Sequence, residues 1–200
     1  MIPKNLPADT TPRSFFESVL PEEHALHVPG DAGAGSVTVR LLGGPSFRLD
    51  AAGSTLTVTE VRDGERAAFL LTVPFAMAEH FLADWKGPRT LVPTFEPRGI
   101  VVATDARLIR RVAMVSGSIQ LELDGFEAGR ATLKAAVGKR DADDPADVEV
   151  HIGMETFKRM MNGEIAPDEA IVDGHVTVTG KRLVAMQFAL ALCPFFPPKT

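Results

Sequence analysis

The chain contains a single cysteine, Cys193, so no intrachain disulfide can form and a structural zinc site built from several thiolates is excluded. It has no long hydrophobic run: no stretch reaches the roughly 18 to 20 apolar residues that a helix needs to cross a bilayer. Residues 1–12 hold three prolines and no apolar core, so an ordinary secretory signal is not expected and a cytoplasmic location is the default expectation. Clustered positive charge is missing too. The 21 Lys and Arg are scattered among 26 Asp and Glu, and a formal charge of −5 gives no basis for the phosphate contacts of a nucleic-acid reader.

Catalytic motifs are equally scarce. There is no Gly-x-Ser-x-Gly elbow, no His-Glu-x-x-His pair and no phosphate loop. Gly33-Ala34-Gly35 precedes a strand pattern, but Thr38 stands where a dinucleotide fingerprint requires its third glycine. The acidic run from Asp141 to Asp147 lacks the glycine and the closing glutamate of a calcium loop and reads as a solvated turn. His24 and His27, three apart near Glu22 and Glu23, have no third ligand beside them and read as loop residues between Pro21 and Pro29. His80, His151 and His175 lie beside apolar periodic positions and read as edge or packing residues. Cys193 reads as a small buried hydrophobe, because nothing nearby would depress its pKa. The expectation is a noncatalytic protein with no metal and no cofactor.

What the chain does have is a hydrophobic content of 45% with 24% charged residues, enough for a real core. Val148, Val150 and Ile152 alternate with Glu149 and His151, the period of a half-buried strand. Met154, Phe157, Met160 and Met161 then recur at helical spacing, and Asn162-Gly163 supplies a stop. Pro167 suits the first turn of a short helix, where its missing N–H is harmless, and Asp168 and Glu169 favour the positive end of that helix. A strand at 175–179 follows, and residues 183–192 form a helix apolar on almost every face, which calls for a second cover besides one sheet.

These features together resemble the sterol carrier protein 2 (sterol-binding domain) family. The resemblance rests on Ala146-Asp147-Val148, Phe157, the stretch Asn162-Gly163-Glu164-Ile165-Ala166-Pro167-Asp168-Glu169-Ala170, Asp173-Gly174, Val176-Thr177-Val178-Thr179-Gly180 and Ala185-Met186. It implies an α+β fold, a mixed β-sheet with helices packed on one face and an apolar cavity between them.

A second pattern is internal. Gly35-Ser36-Val37-Thr38-Val39-Arg40-Leu41 parallels Gly117-Ser118-Ile119-Gln120-Leu121-Glu122-Leu123. Gly99 to Thr104 followed by Arg107-Leu108 parallels Gly174 to Thr179 followed by Arg182-Leu183. Element order is the same in both halves, so the sequence reads as two tandem sterol-carrier-like repeats. Residues 1–34 form an N-terminal helix and loop, 35–116 a diverged repeat and 117–200 a repeat that keeps the family pattern. In the first repeat Pro88 to Pro93 stands where Pro-x-x-Ala is expected, so a ligand site there is not carried over. Expected elements are helices at 14–20, 75–85, 106–115, 154–162, 167–172 and 181–192, with a loop at 24–35. Strands are expected at 36–42, 46–50, 54–62, 67–73, 99–104, 118–124, 129–137, 147–152 and 175–179.

The candidate ligand-binding residues are Met154, Phe157, Met160, Met161, Ile171, Leu183, Met186, Phe188 and Leu190. Methionine is flexible and polarizable, so four in one repeat suit a pocket that accepts varied apolar shapes. Phe195 and Phe196 are placed to close such a pocket or to touch a membrane transiently. The function expected is binding, with transfer, of an apolar lipid of sterol-like, fatty acyl or isoprenoid type. The alternative is an accessory subunit that presents a hydrophobic substrate to a partner enzyme, and an uncharacterised enzyme is the third reading.

Overall fold

The computed structural model describes residues 6–62, 69–86, 104–126, 129–137, 144–161 and 163–195. Its first element is longer than the sequence suggests. Helix α1 (Pro12–Ser14), a π-helical turn (Phe15–Val19) and α2 (Leu20–His27) run on as one helical stretch. The cap is Thr11, not Ser14: the Thr11 hydroxyl accepts from the Ser14 N–H at 3.2 Å and the Ser14 hydroxyl accepts from the Thr11 N–H at 2.8 Å. Pro21 does not end the helix, because it falls in the first turn of α2 directly after the widened π turn, where its missing N–H is accommodated. The expected loop at 24–35 therefore begins only after His27.

Eight strands follow among the described residues, β1 (Ala34–Leu42), β2 (Ser46–Ala52), β3 (Thr55–Val61), β4 (Phe69–Pro74), β5 (Ser118–Phe126), β6 (Gly129–Val137), β7 (Val148–Gly153) and β8 (Thr177–Gly180). They form one sheet in the order β3-β2-β1-β4-β6-β5-β7-β8. β1 pairs antiparallel with β2 and parallel with β4; β5 pairs antiparallel with β6 and parallel with β7. The two halves meet where β4 runs antiparallel to β6, from Phe69 opposite Val137 to Thr72 opposite Lys134. That edge of β4 is where a strand at 99–104 would correspond to β8 beside β7, and β6 takes it. Residues 99–103 lie outside the described residues, and Thr104 is in a turn.

Strand alternation sets the two faces. Val37, Val39, Phe47, Leu49 and Leu123 are buried on one face, with Leu71, Ile119 and Leu121 partly buried beside them. The opposite face carries Arg40, Arg48, Asp50, Gln120, Glu122 and His151, where Arg48 bonds Asp50 at 3.0 Å and His151 meets Glu122 at 3.0 Å. The helices pack on the apolar face. α3 (Phe75–Lys86) and α4 (Ala106–Ala113) lie on β1 and β4, and α5 (Met154–Met161) and α7 (Arg182–Leu192) lie on β5 and β7. The short α6 (Pro167–Val172) packs between α5 and α7. No helix among the described residues is long and apolar enough to cross a membrane.

Candidate apolar binding site

A pocket of about 300 Å³ lies between the sheet and the helices. Its floor is the apolar face of six strands: Val37, Val39 and Leu49 from the first hairpin, Phe69 and Leu71 from β4, Ile119, Leu121, Leu133 and Ala135 from the second hairpin, and Val150 and Ile152 from β7. Its roof comes from Leu108 and Val112 of α4, Phe157 and Met160 of α5, Pro167 and Ile171 of α6, and Ala185, Phe188, Ala189 and Leu192 of α7. Every lining side chain among the described residues is apolar. Such a lining offers no side-chain donor or acceptor among the described residues with which to hold a charged or hydroxylated group, so a polar head would stay at its rim.

A second apolar pocket, of about 280 Å³, adjoins the first. Pro12, Phe15, Phe16, Met77, Ala78, Phe81 and Leu82 wall it from the N-terminal helical stretch and α3, over Leu41 and Val73. Leu121, Leu133 and Phe157 belong to both pockets. Phe16 also stacks on Phe47, with ring centroids 5.0 Å apart, which docks the N-terminal helical stretch on β2.

Of the residues singled out in the sequence, Phe157, Met160, Ile171 and Phe188 line the larger pocket. Met154 and Met186 are partly buried against the core beside it and do not line it. The side chain of Met161 lies outside the described residues. Leu183 and Leu190 are misplaced by the sequence reading: they are 71% and 53% exposed. α7 buries Val184, Ala185, Phe188, Ala189 and Ala191 and turns Leu183, Gln187 and Leu190 to solvent. Its neighbours are the sheet beneath and α4 and α6 at its flanks, so its apolar surplus faces water instead of a second cover. The sequence reading also missed the first-half walls Val37, Val39, Leu49, Phe69, Leu71, Leu108 and Val112, although their alternation and helical spacing placed them on apolar faces.

Polar groups around the pockets are engaged in structure. His24 is fully buried in α2 and is no loop residue: Nε2–H donates to the Gly53 carbonyl at 2.9 Å, and Nδ1 hydrogen-bonds the Thr104 hydroxyl at 2.7 Å. His27 approaches Glu23 at 3.3 Å, and burial pushes the Glu23 carboxyl above its ordinary range against the pull of His27. Asp105 caps α4 by accepting from the Arg107 N–H at 2.8 Å and pairs with the Arg107 guanidinium at 2.6 Å. Burial opposes ionisation of Asp105, yet these Arg107 hydrogen bonds hold its pKa below the ordinary value. Asp147 accepts from the Ser118 N–H at 3.0 Å and from Lys181 at 2.7 Å, joining β5, β7 and the start of α7. Cys193 donates to Asp168 at 3.1 Å; burial, then this bond, raises the thiol pKa and keeps it protonated. The Arg107 guanidinium lies 6.0 Å over the Phe195 ring, and Phe196 is outside the described residues.

The described residues thus form a mixed sheet with helices on one face and an apolar pocket between the layers. Residues 103–192 match the SCP-2 sterol transfer family, a little under half of the chain. Among solved structures, the chain is similar to sterol carrier protein 2 from Yarrowia lipolytica in its apo form, with 14% identity over 52% of this chain and 88% of that one and a TM-score of 0.36. It is also similar to sterol carrier protein 2 like 2 from Aedes aegypti, with 19% identity over 48% of this chain and 98% of that one and a TM-score of 0.32. A third similar structure is the sterol carrier protein domain 2 of Helicoverpa armigera, with 17% identity over 45% and 77% and a TM-score of 0.34. No curated protein matches the chain.

Proposed function

We propose that the protein is a noncatalytic lipid binder that takes a sterol-like, fatty acyl or isoprenoid molecule from water into an apolar cavity and passes it on. The single observation that carries this reading is the pocket whose described lining is apolar throughout and comes mostly, though not wholly, from the stretch that matches the SCP-2 sterol transfer family. Its mechanism is burial. Each Å² of apolar ligand surface removed from water contributes about 25 cal/mol, and the lack of buried polar partners makes the site tolerant of chain identity. The proposed ligand-contacting set is Phe157, Met160, Ile171 and Phe188, joined by strand residues of both halves.

The reading includes a tandem origin: residues 35–116 and 117–200 as diverged copies in one sheet. Matching strand pairings around β1 and β5 support it, as does the seating of α3 and α4 on β1 and β4 where α5 and α7 sit on β5 and β7. A cytoplasmic carrier is the setting this reading assumes. A second reading, an accessory subunit holding a partner enzyme's hydrophobic substrate, draws on the exposed Leu183 and Leu190 of α7.

Mass spectrometry of what copurifies, followed by displacement of a fluorescent fatty acid from the delipidated protein, tests the reading. Saturable binding with a slow exchange to acceptor vesicles is expected. No binding across fatty acids, sterols and prenols would sink the carrier reading, and capture of a biosynthetic enzyme by the same protein would then favour the accessory one.

A further inference from the structure

We infer that the two pockets form one bent channel for a single long linear chain, with the second pocket as the compartment that sets chain length. The inference rests on the lipid-binding reading and adds a subsite outside residues 103–192, built from the N-terminal helical stretch and α3. The observation that carries it is the shared wall. Leu121 and Leu133 stand directly opposite each other across β5 and β6, and both belong to both pockets. Phe157 of α5, partly buried, is the third shared residue and comes from the helix layer above this pair. Among the described residues, the wall that the two pockets share is therefore one aromatic ring and two leucines.

Size and chemistry select the occupant. Pockets of about 300 and 280 Å³ sit singly at the lower end of the roughly 300–1,000 Å³ typical of ligand sites, and joined they fall well inside it. A rigid fused-ring body cannot bend past Phe157, whereas a flexible acyl or prenyl chain can. The second pocket is apolar in every described lining residue, so it receives the chain's tail, and the polar head stays outside the larger pocket. Each further methylene buried then adds to affinity until the second pocket is filled.

Ala78, a partly buried residue of α3, walls only the second pocket, so filling it separates the two compartments. Displacement of a fluorescent fatty acid by decanoic and eicosanoic acids is measured for the full-length protein and for Ala78→Phe, with Ala78→Leu as the milder variant should the first fail to fold. Wild type is expected to bind the twenty-carbon acid more tightly than the ten-carbon acid. The Ala78 variant should lose about tenfold or more for the longer acid and less than about twofold for the shorter. A variant that keeps the wild-type length series, or that loses both acids equally, overturns the channel while leaving lipid binding intact. Failure of the wild type to bind any chain overturns the lipid-binding reading itself, and the channel with it.

Discussion

Gly117 lies so close to Val184 that a β-carbon on it would sit 2.9 Å from the Val184 Cγ1. The same relationship recurs between Gly35 and Ile109, where the added carbon would lie 3.1 Å from the isoleucine side chain. In the internal alignment Gly35 corresponds to Gly117, and Arg107-Leu108-Ile109 corresponds to Arg182-Leu183-Val184. At both places a glycine at the start of a strand leaves room for a helix side chain to pack close to the sheet.

Gly117→Ala is expected to be the more damaging of the two substitutions. Its φ is +152°, inside the region L side chains rarely adopt, and its clash is with a branched side chain packed in the core. Overpacking of this kind costs about 1–3 kcal/mol. Gly35→Ala meets a similar contact without the positive φ and should cost less. Urea unfolding of both variants checks the order; a Gly117→Ala protein as stable as wild type would remove the close approach as a determinant of the fold.

Asp105 gives a pH-dependent expectation. Its pKa is lowered by the Arg107 bonds that outweigh burial, so the folded state holds its proton less tightly than the unfolded chain. The stabilisation is fully present above the ordinary value of 3.8 and is lost as pH falls through the folded value. Asp105→Ala should therefore lower stability by about 0.5–2 kcal/mol at neutral pH, the usual range for losing a helix cap. That deficit should shrink in acid. A deficit that is constant from neutral pH to pH 3 would show that the carboxylate charge plays no part.

Glu23 has the opposite sign. Burial first, opposed by His27, raises its pKa, so the folded protein binds this proton more tightly and stability falls as pH rises from 4.5 through the raised value. Glu23→Gln removes that penalty. Its melting temperature should exceed wild type at pH 7 and converge with it below pH 4.5. A variant less stable than wild type at pH 7 would mean that the His27 contact outweighs the burial penalty.

Much of this architecture is legible in the sequence because alternation and helical spacing report which face of an element is apolar. Val148, Val150 and Ile152, or Phe157 and Met160, declare their faces that way, and the structure buries the three strand residues and sets the two helix residues, partly buried, along the pocket. What spacing does not report is which other element covers that face. Val37, Val39 and Leu49 were evidently inward, yet only the pairing of β4 with β6 brings them under the same roof as Val150 and Ile152. The spacing of Val184, Ala185, Phe188, Ala189 and Leu192 already marks one stripe on α7, but the surrounding leucines mask it. The sequence predicts a helix only over 14–20, and the π turn that carries the helical stretch on through Pro21 has no signature in composition.

The placement of those leucines separates ligand contact from packing. Met160 lines the larger pocket, Met186 is partly buried against the core without lining it, and Leu190 is 53% exposed. Glutamine replaces each with little change of length and with good helix propensity. Met160→Gln should weaken fatty-acid binding by about tenfold, about 1.4 kcal/mol, because an amide in an apolar site has no partner. Met186→Gln should instead lower unfolding stability and leave affinity within about twofold, and Leu190→Gln should change neither, since an exposed leucine loses little by becoming polar. Fluorescent fatty-acid titration and urea unfolding of the three variants give the two readouts separately. If Leu190→Gln lost as much affinity as Met160→Gln, the ligand would sit on the outward face of α7, and the pocket beneath it would be packing space alone.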